Sequence, residues 1–188
     1  MRSLTARLTV GVLAGMAAGA AAYYLLQLEG PLAVQRTRMT SFDQTARSVT
    51  ASLDAARAAQ LSYVIEGQGA AVWQPTVEAA LSALPDEVDT LRSLASTDDA
   101  RAMLIEAAAR VREFGELESR THEYLSAGDR LMASDVVLAE SSPAAASAME
   151  LVDAAWRMEV EELAAAEASH RLRQLDAAGG ATIFVLSP

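Results

Sequence analysis

Two histidines and a scatter of carboxylates have the widest chemical reach in this chain of 188 residues. Glu167 and His170 show the Glu-x-x-His spacing that sets a carboxylate and an imidazole on one helix face, from which helical bundles assemble two-metal sites. Such a site needs a second pair and two further inward carboxylates. His122, the other histidine, has no glutamate three residues before it, so no metal site is expected. Glu118, four residues before His122, suits a helical surface pair instead. Cysteine is absent, which removes thiolate nucleophiles and disulfides together. There is also no Gly-x-Ser-x-Gly elbow and no glycine-rich phosphate loop, so the sequence predicts neither an enzyme nor a cofactor.

Recognition without catalysis calls for polar and aromatic groups near helix seams. Arg57, Gln60, Tyr63, Trp73, Glu118, Tyr124 and Trp156 are of that kind and are expected to line a small-ligand pocket. Ordinary core packing is the competing reading, since indole and phenol rings fill interiors equally well.

These residues must be positioned by helices, and the first constraint on those helices is a membrane. From Leu8 to Leu28, 21 consecutive positions carry no charge. A helix of that length covers roughly the 30 Å hydrocarbon layer of a bilayer. Arg2 and Arg7 precede it and Glu29 follows, which keeps residues 1–7 in the cytoplasm and exports what comes after. Gly11, Gly15 and Gly19 fall four apart, a small-xxx-small face on which two such helices pack as a homodimer. A cleaved secretory signal is the alternative, with small residues around Ala18–Ala22 as its cleavage region.

The exported part is acidic. All 25 Asp and Glu lie between Glu29 and Asp176, together with 13 of the 15 Arg, and there is no Lys. A nucleic acid partner is excluded because nothing would displace phosphate counterions.

Glycine and proline are sparse after Leu28, and the intervening segments have helical period. The first helix is expected from Pro31 to Glu66, with Met39, Phe42, Ala46, Val49, Leu53, Ala56, Gln60 and Tyr63 on a heptad seam, closed by Gly67 and Gly69. The second starts near Pro75 and runs to Ala95, with Val77, Leu81, Leu84, Val88 and Leu91 inward and a kink or division at Pro85. Ser96–Asp99 caps the third, whose stripe is Leu104, Ala107, Val111, Phe114, Leu117, Thr121 and Leu125. Gly128-Asp129 interrupts it, and an extension from Arg130 to Glu140 leads to Ser142-Pro143, which reads as the cap and first turn of the fourth helix. That helix presents Met149, Val152, Trp156, Val160 and Leu163 inward to about Asp176. Residues 177–188 are uncharged and too short to span, so they read as the start of a second membrane helix, with an apolar C-terminal tail as the alternative. The fold predicted is all-α: an antiparallel four-helix bundle over 29–176, between an N-terminal transmembrane helix and the beginning of another.

Local residues resemble a known family. The stretch from Ala58 to Gln68 is similar to the segment ending the first helix of CHASE-type sensors, matching at Tyr63 and Gly67, with Leu61 and Ser62 where that family has Arg-Gly. Leu125–Asp129, followed by Ala133, Val137 and Ser141-Ser142, looks like the loop entering the last helices of such bundles. The layout resembles the extracytoplasmic sensor regions of bacterial chemoreceptors and sensor histidine kinases. The resemblance implies an inner-membrane receptor with a periplasmic sensing bundle and a cytoplasmic signalling domain beyond this chain. Ser169–Arg173 also looks like a phospho-accepting histidine box, but Arg171 stands where an acidic residue is expected. The rival expectation is an exported helical scaffold with no signalling output. Gly15→Leu should weaken homodimerisation, read as a loss of crosslinked dimer from the full-length protein; unchanged crosslinking would remove the glycine face from the interface.

Overall fold

The structure is a computed structural model that describes residues 33–62, 64 and 70–185, and the side chains of 33–62, 64 and 72–173. The apolar stretch Leu8–Leu28, with Gly11, Gly15 and Gly19, lies outside the described residues, as do Tyr63 and both ends of the first predicted helix. The described residues hold helices and no strand. In order they are α1 (33–62), α2 (Ala70–Leu94), α3 (Asp98–Ser126), the short α4 (Arg130–Val136), a π-helical turn (Val137–Ser141) and α5 (Ser142–Val185). No helix among them is long and apolar enough to cross a membrane. Two compact units divide the chain, Met1–Arg38 and Met39–Pro188, and the apolar core belongs to the second.

Its core follows from the apolar stripes. Phe42, Ala46, Val49, Leu53 and Ala56 of α1, Val77, Leu84, Val88 and Leu91 of α2, and Leu104, Ala107, Val111, Phe114 and Leu117 of α3 are buried in one cluster. Removing such stripes from water is what makes helices of this kind stable, because their intrinsic propensity alone is marginal.

Of the expected helix boundaries, the cap of α3 stands as expected and the starts of two other helices do not. Thr97 caps α3 from an extended backbone, its hydroxyl accepting the Ala100 N–H at 3.1 Å, with Asp98 and Asp99 in the favourable first turn. Pro75 does not open α2, which begins five residues earlier. Pro85 does not divide it either; the helix runs through both prolines, each giving up one backbone hydrogen bond. Ser142 does not cap a new helix, because its backbone is already right-handed helical (φ −60°, ψ −42°) and its N–H bonds to Val137 O across the π turn. The wider turn carries the chain from α4 into α5 without the break that Ser-Pro suggested.

The inward face of α5 also differs from the expected one. Its buried residues are Ala144, Ala145, Ala148, Val152, Ala155 and Glu159, while Met149 and Trp156 are only partly buried against the core and Val160 is exposed. Small side chains let α5 lie close to its neighbours, so the alanines take the interior and the bulky residues flank it. Hydrogen bonds fix the directions. Asp43 meets Trp156 and Gln60 meets Ser141, so α1 and α5 run antiparallel. Thr97 meets Glu159 and Arg120 meets Glu140, which makes α3 and α5 antiparallel as well.

Where α3 stops, Gly128 takes a left-handed backbone (φ +80°). Asp129 N–H then reaches Tyr124 O at 2.8 Å and Gly128 N–H reaches Leu125 O at 3.0 Å, a Schellman closure. Gly128→Ala should cost about 1 kcal/mol in chemical denaturation, since its Cβ meets no neighbour and only the backbone conformation opposes it. A neutral result would remove the closure as a stabilising feature.

Candidate functional site

Three polar features interrupt the apolar interior, and each ties α5 or the π turn to another helix. The most enclosed lies where α1, α3 and the π turn converge. Gln60 is fully buried, its amide nitrogen donating to Glu118 Oε2 at 2.6 Å and its amide oxygen accepting the Ser141 hydroxyl at 2.7 Å. The amide is thereby oriented, with its donor on the carboxylate and its acceptor on the hydroxyl. Glu118 and Ser141 are themselves buried, and the Gln60 N–H helps to offset the hydration that the Glu118 carboxylate loses there. Thr121, one turn along α3, is buried too and spends its hydroxyl on Leu117 O.

The second feature is Glu159. From α5 its carboxylate accepts Ser96 N–H at 2.7 Å, Ser96 Oγ–H at 2.5 Å and Thr97 N–H at 3.1 Å. It supplements the cap of α3 from another helix, where negative charge is favoured. Arg101 closes the same turn from the other side, donating to Ser96 O at 3.0 Å.

The third is a groove between α1 and α5. Its volume is about 740 Å³, and it is walled by Asp43, Ala46, Arg47, Thr50, Ala51 and Asp54 on α1 and by Met149, Glu150, Val152, Asp153 and Trp156 on α5. That size suits a small organic ligand. At one end the Trp156 indole N–H donates to Asp43 Oδ1 at 2.9 Å, and Arg47 donates to both oxygens of Asp43 at 3.0 and 3.1 Å. The Arg47 guanidinium, helped by the indole N–H, holds the Asp43 carboxyl below the usual aspartate range although partial burial opposes this. Four carboxylates line the groove against one guanidinium.

The seven residues singled out from sequence therefore separate. Gln60 and Glu118 touch. Arg57 lies one turn before Gln60, partly buried, with an Nε that finds no hydrogen-bond partner among the described residues. Tyr124 and Trp73 pack partly buried against the core, and the Trp73 indole N–H likewise has no described partner. Tyr63 is outside the described residues. Trp156 stands apart, since Asp43 and Gln60 are 17 residues apart on α1, about 25 Å of helix. Sequence reasoning missed Asp43, Ser141 and Glu159. The usable signal was phase, because Ser141 and Glu159 fall in step with Ala145, Ala148, Val152 and Ala155 on the buried face. Glu167, singled out for metal chemistry, lies 3.6 Å from Arg171 on the turn that follows it.

No family model matches this chain, and neither a curated protein nor a solved structure does.

Gln60→Leu should destabilise the fold by about 2 kcal/mol or more in chemical denaturation, because the buried Glu118 loses a donor and the Ser141 hydroxyl loses its acceptor. Ser141→Ala removes a single neutral bond and should cost about half as much. Equal costs for the two would show that the amide is no more than a filler.

Proposed function

We propose that this chain is the membrane-anchored, extracytoplasmic sensor module of a bacterial signal-transduction receptor, an antiparallel four-helix bundle that passes a ligand or mechanical input across the inner membrane as a displacement of its outer helices. The observation that carries this reading is the pairing of α1 with α5. The apolar stretch Leu8–Leu28 precedes α1 in the sequence, and α5 ends in the uncharged run that begins at Ala177. The antiparallel pairing brings the Asp43 end of α1 toward the later part of α5, so an input at their shared groove acts on two helices that lead, in the sequence, to apolar stretches.

Packed helices have a few discrete arrangements, differing by shifts of 1 to 2 Å or so. A ligand that fits the groove better in one arrangement shifts the population toward it by its difference in affinity. The Asp43–Trp156 and Gln60–Ser141 links would resist such a shift, which makes the response a choice between arrangements instead of a continuous slide. A homodimer through the glycine face of the anchor and the seam of α1 would carry the shift to a cytoplasmic signalling domain.

The test is topology on the natural gene, with reporters fused after Asp176 and after any completed second apolar segment, and the 3′ end read alongside. An exported signal at the first point and a cytoplasmic signal at the second are expected. Export at both points would leave a tethered or secreted helical scaffold and remove the receptor.

A further inference from the structure

The groove between α1 and α5 has two unlike ends. Near Trp156 the carboxylates are already engaged, Asp43 by the indole and Arg47, and Asp153 by Arg157 at 3.2 Å. At the other end Asp54 on the α1 wall and Glu150 on the α5 wall have no hydrogen-bond or ion-pair partner among the described residues. The register set by Asp43–Trp156 and Gln60–Ser141 puts Glu150 level with Thr50, so Asp54 stands one turn, about 6 Å, further along the opposite wall. Both side chains are exposed, and a cation seated between the two walls would meet negative charge from each side.

Between the two ends the walls are small or apolar: Ala46, Thr50, Ala51, Met149 and Val152. From Glu150 to Trp156 is six residues, about 9 Å of helix. The indole ring is only partly buried, and its orientation is held by the N–H bond to Asp43. An aromatic face at that distance from a pair of unneutralised carboxylates selects a molecule with a cationic head and an apolar body. An inorganic cation would satisfy the carboxylates and leave the rest of the groove unfilled. An anion would meet an unfavourable potential along most of its length.

We infer that the groove binds a primary organic ammonium with an apolar body, its ammonium donating to Asp54 and Glu150 and its body lying along Ala51 and Met149 toward Trp156. This deepens the sensor reading by naming the input class of the same groove. An ammonium supplies three donors, enough for both carboxylates and a water. A ligand spanning both walls adds an attraction between α1 and α5 that the empty groove lacks.

The experiment uses the full chain in mild detergent with Trp73→Phe, which leaves Trp156 as the sole indole. Phenethylamine is titrated at constant ionic strength, with phenethyl alcohol and magnesium chloride in parallel. The expected result is a saturable change in Trp156 fluorescence with the amine alone, weakened about tenfold or more by Asp54→Asn with Glu150→Gln. Both positions are exposed, and circular dichroism verifies that the double variant is folded. Calorimetry on the chain without the Trp73 substitution reads the same binding independently. No saturable signal in either measurement would overturn the site. So would an equal response to the alcohol, to magnesium, or in the double variant. Amine binding in a chain that fails the topology test would leave the site standing and remove the receptor; the reverse pair of results would remove only the site.

Discussion

A helix whose buried face is made of alanine has little bulk with which to fix its own register. On α5 the interior positions are Ala144, Ala145, Ala148, Val152 and Ala155, and these would pack nearly as well after a slide of one turn. Hydrogen bonds break that degeneracy, because a misplaced buried polar group loses far more than a misplaced methyl. Ser141 and Glu159 stand at the two ends of the alanine face, one bonded to α1 and the other to the turn before α3. Much of the unit's geometry depends on those two attachments. The Gln60 amide can bridge Glu118 and Ser141 only while the π turn is in register, and the α3 cap receives the Glu159 carboxylate only while the far end is.

Small side chains on α1 shape the groove. With alanine and threonine on the facing surface of α1 and the larger Met149 and Trp156 set to the flank of α5, the outer seam between the two helices stays open. Small residues on the inner face of α5 allow close approach, and small residues on α1 leave an open channel outside. Exposed ion pairs such as Asp153–Arg157 contribute little to stability.

How far the sequence spoke for itself varied with side-chain size. The seams of α1, α2 and α3 were legible because Leu, Val and Phe at steps of three and four leave few alternatives to a buried stripe. The seam of α5 was not, since alanine appears on every face of that helix and the eye goes to Met149, Trp156 and Val160, which flank the core or point outward. Prolines misled in both directions. Pro75 and Ser142-Pro143 have the form of helix starts, yet continuing hydrogen bonds on either side outweigh the single N–H that a proline lacks. Gln60 and Glu118 stood out as polar residues at seams, and their contact could not be read without knowing that α1 and α3 meet there. Ser141 had the right phase but not the bulk that draws attention to a buried position, and its partner on α1 lies 81 residues away in the chain.

The π turn at Val137–Ser141 closes a hydrogen-bonded ring one residue larger than that of an α-helix. One residue of winding corresponds to a rotation of about 100°. The turn is therefore an angular offset stored in the backbone: α4 and α5 follow one another with no break in helical winding but keep different phases, much as two gears keyed to one shaft can be set out of step. Rewinding that turn would change the phase of α5 relative to α4, so a change in local hydrogen bonding becomes a rotation of the helix that carries Trp156 and Glu159.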